Sequence, residues 1–320
     1  MTAWLLSGLG LLILLLAGDA LVRGAVNLSL RLGVPALIVS LTIVAFGTSA
    51  PELLIAISAL QENAPGIALG NVVGSNTANI LLVLGLPALF ATLHTSECDS
   101  RRNYVFMLLA TVLFIALAFC GVFTLLSGVI LLTALALVLW NAFNQAKAHR
   151  KSIGDACATD QDLDGLEEAD PDMPYWKVSI YLVLGLIGLP MGAHLLVDNA
   201  TIIAITYGIS ETVIGLTLVA IGTSLPELAT TVMAALRRQA DVALGNVIGS
   251  NMFNLLAIVG IATWFGNIPV DPEFLYFDLW VMLGASLLLI PFVFFKQDIS
   301  RIWGAVLTLL YAVYVTTLLV

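Results

Sequence analysis

Charge is what this sequence has least of. Asp, Glu, Lys and Arg make up 10% of its 320 residues and apolar types 60%, with a mean hydropathy of +1.04. A soluble globular chain carries about a quarter charged residues, and no polar surface separates the apolar runs here. A water-soluble core is excluded. Cysteine is scarce too: Cys98, Cys120 and Cys157 are odd in number and scattered, which excludes a disulfide framework and leaves free thiols as the expectation. No Lys or Arg precedes the first apolar run, which starts at Ala3. A cleaved signal peptide needs that basic leader, so the run is read as a first membrane helix. No Ser/His/Asp set or metal motif falls on one helix face, so an enzyme is not expected. Neither is a cofactor, a nucleic-acid partner or an obligate protein partner.

What is present is hydrocarbon length. About ten apolar stretches each match the roughly 30 Å of a bilayer core. The expected spans are 3–22, 35–60, 66–90, 103–120, 124–145, 177–200, 210–236, 242–265, 276–295 and 302–320. They predict an all-α polytopic membrane protein of ten transmembrane helices, with the lipid bilayer as its surround. With the N-terminus outside, the inner connections collect all 12 basic residues: Arg23, Arg31, Arg101, Arg102, Lys147, Arg150, Lys151, Lys177, Arg237, Arg238, Lys296 and Arg301. The outer connections hold Glu62, Glu211, Asp271 and Glu273. One span more or fewer would scatter the bases over both faces, so this parity predicts a multi-pass protein of the cell membrane with both termini outside. Trp4, Trp140, Trp176, Trp264, Tyr276 and Trp303 fall near span ends, as an aromatic belt requires.

The chain also repeats itself. Gly47-Thr48-Ser49-Ala50-Pro51-Glu52, followed by Gly70-Asn71-Val72-Val73-Gly74-Ser75-Asn76-Thr77-Ala78-Asn79, returns as Gly222-Thr223-Ser224-Leu225-Pro226-Glu227 and Gly245-Asn246-Val247-Ile248-Gly249-Ser250-Asn251-Met252-Phe253-Asn254. At a constant offset of 175, Leu41–Gly85 and Leu216–Gly260 agree at 22 of 45 positions, mostly at Gly, Pro, Ser, Thr, Asn and Glu. This is an internal duplication. The copies lie in spans 2–3 and 7–8, five apart, so they cross the bilayer in opposite directions. The prediction is two inverted five-helix repeats, residues 1–145 and 177–320, joined by an acidic cytoplasmic linker, 146–176. Asp19 and Asp198 correspond across a short gap. Eight of the 21 acids fall within Asp155–Asp172, so the net charge of −9 is largely local. Asp160-Gln161-Asp162-Leu163-Asp164-Gly165 matches the opening of an EF-hand loop, but Pro171 stands where the bidentate Glu belongs. A solvated linker is the simpler reading.

Glu52 and Glu227 each fall mid-span, where an acid costs about 2.5–3.5 kcal/mol on insertion scales. One such Glu is explained by a neutral, hydrogen-bonded side chain; two at equivalent repeat positions in identical polar surrounds are not. Thr48 and Ser49 precede Glu52 by four and three residues, which places them on one helix face, as Thr223 and Ser224 are for Glu227. Pro51 and Pro226 break the helix and free carbonyls around Ala45 and Ala220. On the partner helix Ser75 and Asn79, and Ser250 and Asn254, are one turn apart, and nearby glycines allow close backbone approach. The set is rich in oxygen and free of sulfur and imidazole, which disfavours zinc, copper and iron. Calcium accepts 6–8 oxygens in irregular geometry, and sodium accepts the same oxygens. Two carboxylates neutralise one divalent ion, so an empty site is costly to occlude and a loaded one is not. That charge balance predicts exchange, with Ca2+ and Na+ as the transported ions.

These motifs resemble the alpha-repeats of the cation/calcium exchanger superfamily, specifically prokaryotic sodium/calcium exchangers. The resemblance implies ten helices, external termini and a diamond of ion sites built by helices 2, 3, 7 and 8. By position it implies Glu52 and Glu227 as central calcium ligands and carbonyls from Thr48 and Thr223. It places Ser49, Ser224, Ser75, Ser250, Ala45 and Ala220 at flanking sodium sites, with Asn79 and Asn254 facing the middle. Many members carry Asp where this chain has Asn254. The change weakens the case for potassium co-transport and removes one proton carrier.

Two other readings compete. A proton/calcium antiporter of the same fold would neutralise the empty site by protonating Glu52 and Glu227, with His194 and Asp198, spaced i,i+4, as a relay; a structural pair is the simpler account of those two. A passive cation channel would conduct without a counter-ion, which inverted repeats argue against.

Overall fold

The computed structural model describes residues 2–155, 170, 172–208 and 220–319. The helices are α1 (Thr2–Leu32), α2 (Ala36–Gln61), α3 (Pro65–Phe90), α4 (Arg101–Ala118), α5 (Leu125–Asp155), α6 (Tyr175–Thr206), α7 (a turn, Ala220–Thr223, then Leu225–Leu236), α8 (Ala240–Ala262), α9 (Phe274–Phe294) and α10 (Arg301–Leu319). Among the described residues nine helices are long and apolar enough to cross a membrane; the tenth expected span, 210–236, begins outside them and continues as α7. The linker's EF-hand-like stretch, Cys157 and Glu211 also lie outside the described residues.

The helices overrun several expected spans. Expected to end at residue 22, α1 continues to Leu32, because Arg23 is neutralised within the helix by Asp19 one turn back, at 3.0 Å. Asp19 is also paired with Arg237. The helix stops where Gly33 takes φ +63 and Pro35 follows. Arg23, Arg31, Lys147 and Lys177 therefore sit on helix ends rather than in connections.

The two motif helices are central. The spanning stretch of α8 is buried throughout and that of α3 mostly, while α5, α6 and α10 are largely exposed, as lipid-facing helices are. Antiparallel α1 and α6 lie against each other along their length; a Cβ on Gly192 would come 3.0 Å from the Gly10 carbonyl oxygen, so only small residues permit the approach.

Two backbone clasps reveal the inverted symmetry. Leu93 and Ile299 exchange 3.1 Å hydrogen bonds, tying the α3–α4 connection to the α9–α10 connection. On the opposite face β1 (Val122–Phe123) pairs antiparallel with β2 (Ile268–Pro269), tying α4–α5 to α8–α9. Exchanging the two halves turns one clasp into the other. The strands are two residues each, too short for periodicity to announce. Beside the Leu93 clasp, burial pushes the Asp298 carboxyl up, but bonds from Ser96 and the His94 ring outweigh it and hold it below its ordinary range. Cys98 and Cys120 are free, and burial pushes the Cys98 thiol up, which keeps it unreactive.

Where α8 crosses α2, a Cβ on Gly245 would stand 2.7 Å from the Leu37 carbonyl oxygen and 2.9 Å from the Ser40 Cβ. Gly245→Ala should force the helices apart and lower stability by about 1–3 kcal/mol. Gly284 on α9 has no described atom within 4 Å of such a Cβ, so Gly284→Ala should hold or raise stability. Thermal unfolding midpoints in detergent check both.

Candidate ion site

The site is built on two broken helices. At Ser49 (φ −86, ψ 4) and Ser224 (φ −89, ψ 4) the helical path is interrupted, and a new helix starts immediately, at Ala50 and at Leu225. The prolines explain the position of the restart: Pro lacks an amide hydrogen, which the first turn does not need. Each Glu becomes a first-turn residue of the new helix, where the positive end of the peptide dipoles favours a carboxylate. The preceding turn, ending at Thr48 or Thr223, directs the negative end of its dipoles at the same place.

Glu52 and Glu227 are 1% and 0% exposed and close enough for their charges to act on each other. Ser49 Oγ donates to Glu227 Oε1 at 3.1 Å, one repeat serving the carboxylate of the other. Thr48 and Ser250, their hydroxyls 3.5 Å apart, sit beside the same carboxylate. Both hydroxyls thus serve the carboxylate of the opposite half, a partner that the spacing to Glu52 within one helix does not reveal. The Ala45 carbonyl is not free either. It accepts from the Ser49 amide at 3.0 Å and from Thr48 Oγ1 at 3.3 Å. In the second half the Ser224 amide donates to the Ile221 carbonyl at 3.0 Å, in the turn headed by Ala220.

Ser75, Ser250, Ser224, Asn79 and Asn254 are all buried. Asn79 Nδ2 donates to Asn251 Oδ1 at 3.1 Å, joining α3 to α8. Both oxygens of Glu52, Glu227 Oε2, Asn79 Oδ1, Asn254 Oδ1 and Ser224 Oγ are buried with no hydrogen-bond partner. Buried polar atoms are rarely left so, and an oxygen-seeking cation is the chemistry that suits this donor set. No group of three or more His, Cys, Asp or Glu forms among the described residues, so hydroxyl and amide oxygens would have to complete any shell. Ser75 and Thr223 line a cavity of about 420 Å3 with Asn71, Asp278 and Tyr314. His194 and Asp198 meet at 2.9 Å with both side chains mostly exposed, which makes them a helix-surface pair.

Two further amides, and the Asn76 carbonyl that one of them meets, belong to the framework. Asn246 accepts from Thr48 Oγ1 and donates to the Glu227 carbonyl and to Thr231 Oγ1, each at 3.3 Å. Asn251 donates to the Asn76 carbonyl at 3.4 Å. The signal for all three was in the duplication, since Asn71/Asn246 and Asn76/Asn251 are identical in both copies.

Comparison with known proteins places this geometry. The family model for sodium/calcium exchanger protein matches residues 2–144 and 177–320. The sodium/calcium exchanger MaX1 of Methanosarcina acetivorans is 34% identical, covering 97% of this chain and 96% of that one. The inner membrane protein YrbG of Escherichia coli is also 34% identical, over 87% and 85%. The solved structure of the sodium-calcium exchanger NCX_Mj soaked with Na+ and Sr2+ superposes with a TM-score of 0.81 at 31% identity, covering 99% of this chain and 98% of that chain.

Because Asn251 links the halves, Asn251→Ala should strand the buried Asn79 amide and lower stability by about 1–3 kcal/mol. The exposed Thr316→Ala should not. Thermal unfolding in detergent distinguishes the two.

Proposed function

The chain belongs to the sodium/calcium exchanger family, and from that premise we propose that it is a secondary antiporter exchanging Na+ for Ca2+ by alternating access. The observation that carries the reading is the pair of buried carboxylates, one from each inverted half, with Ser49 of one half bonded to Glu227 of the other. Two unit charges 4 Å apart interact by about 4 kcal/mol even at an effective dielectric constant of 20. An empty, doubly ionised site is therefore costly to seal from water. One Ca2+ removes the penalty, and so do Na+ ions bound to the same oxygens. The cargoes compete, only loaded sites switch, and the outcome is exchange rather than leak.

In this reading Glu52 and Glu227 hold Ca2+ with carbonyls of Thr48 and Thr223. Ser49, Ser224, Ser75, Ser250, Ala45 and Ala220 complete Na+ sites, and Asn79 and Asn254 set the central spacing. The hydroxyls around the carboxylates favour sodium over a proton, which needs no coordination shell. Alternating access is supported by an asymmetry between equivalent serines: Ser49 donates to Glu227 Oε1, whereas the Ser224 hydroxyl has no partner among the described residues. The halves are residues 1–145 and 177–320 with 146–176 as linker. The gathering of basic residues on one face supports a cell-membrane protein with both chain ends outside.

Calcium uptake into sodium-loaded vesicles should fall about a hundredfold or more in Glu52→Gln and in Glu227→Gln, about 2.7 kcal/mol at least. Normal uptake by either variant would refute the assignment, and uptake driven by a pH gradient without sodium would refute the counter-ion.

A further inference from the structure

Besides Glu52 and Glu227, another acid stands in a membrane-spanning helix without a basic partner among the described residues. Asp278 lies on α9, in the widened turn Phe274–Asp278, and forms no ion pair among the described residues. The Tyr314 hydroxyl of α10 donates to its Oδ1 at 2.9 Å. That bond satisfies one oxygen and leaves the negative charge without a counter-charge near the end of a membrane-spanning helix. Such widened turns insert a residue and recur at functional sites.

Its surroundings give the charge a purpose. Asp278 lines the cavity of about 420 Å3 that also holds Tyr311, Tyr314, Asn71, Ser75 and Thr223, and it is the one carboxylate among the described lining residues. The cavity therefore runs from an isolated negative charge to two residues of the candidate ion site. The 175-residue offset between the halves assigns Asp278 to Asn103, a neutral buried amide bonded by Gln145. The charge is placed in one half only, at the end of α9 nearest the α8–α9 connection, on the face that carries the chain ends.

We propose that Asp278, with the Tyr314 hydroxyl, is a cation-capture site at this cavity: a weak oxygen site that concentrates Na+ and Ca2+ ahead of the central pair. It rests on the exchanger reading. A carboxylate in a low-dielectric cleft focuses its field into the cleft and raises the local cation concentration. It lowers the concentration needed from that face and does nothing for the occluded complex, whose switching sets turnover.

The test is sodium-driven 45Ca2+ flux by the full chain in vesicles of each orientation. In Asp278→Asn the KM for Ca2+ presented to the chain-end face should rise roughly three- to tenfold, more at low ionic strength. The maximal rate and the KM from the opposite face should stay within about twofold. Asp278→Glu, which keeps the charge, should restore KM, and Tyr314→Phe should shift it less than Asp278→Asn. An unchanged KM, or a fall in maximal rate from both faces that Asp278→Glu does not rescue, overturns the proposal and leaves the exchanger reading standing. Absence of sodium-driven flux in the unmodified chain overturns both.

Discussion

Two acids buried together with no basic partner is the constraint from which the rest of this structure follows. Glu52 and Glu227 are sealed from water, and no Lys or Arg is paired with either among the described residues. Nearly every other feature near them supplies oxygen or dipole. Helices restart so that a positive end meets each carboxylate, hydroxyls cross from the other half, and amides on α3 and α8 tie the scaffold together. The apolar helices around this centre keep water out and the field strong.

Inversion builds that centre from one polar motif used twice: inserted in opposite directions, it brings equivalent groups to the middle of the bilayer. The clasps at Leu93–Ile299 and Val122–Pro269 show the relation in the backbone itself. Where α8 crosses α2 the backbones are in direct contact at Gly245 and Gly249.

Much of this was legible in the residues. Offsetting the chain by 175 exposes the repeat, and the arginines and lysines fix the parity of crossings, because both signals depend on identity and position rather than on fine geometry. What stayed hidden was three-dimensional. Thr48 and Ser49 read as neighbours of Glu52 beside a proline break, and nothing in the spacing shows that the Ser49 hydroxyl goes to Glu227. The repeat marks Asn246 and Asn251 as identical in both copies, but their partners across the interface appear only in the fold. Asp278, inside Phe274-Leu275-Tyr276-Phe277-Asp278, reads as an ordinary interfacial acid at the start of a span. Only the meeting of α9, α10 and α3 around one cavity sets it apart.

Ser49 and Ser224 are identical letters in identical words, yet one binds the opposing carboxylate while the hydroxyl of the other has no partner. Under the alternating access proposed above, a duplicated chain has no need to encode a second conformation separately: exchanging the roles of its halves gives one in which Ser224 holds Glu52. Each residue of the motif is then selected for two jobs at once, and a substitution harmless in the one posture still has to be tolerated in its mirror.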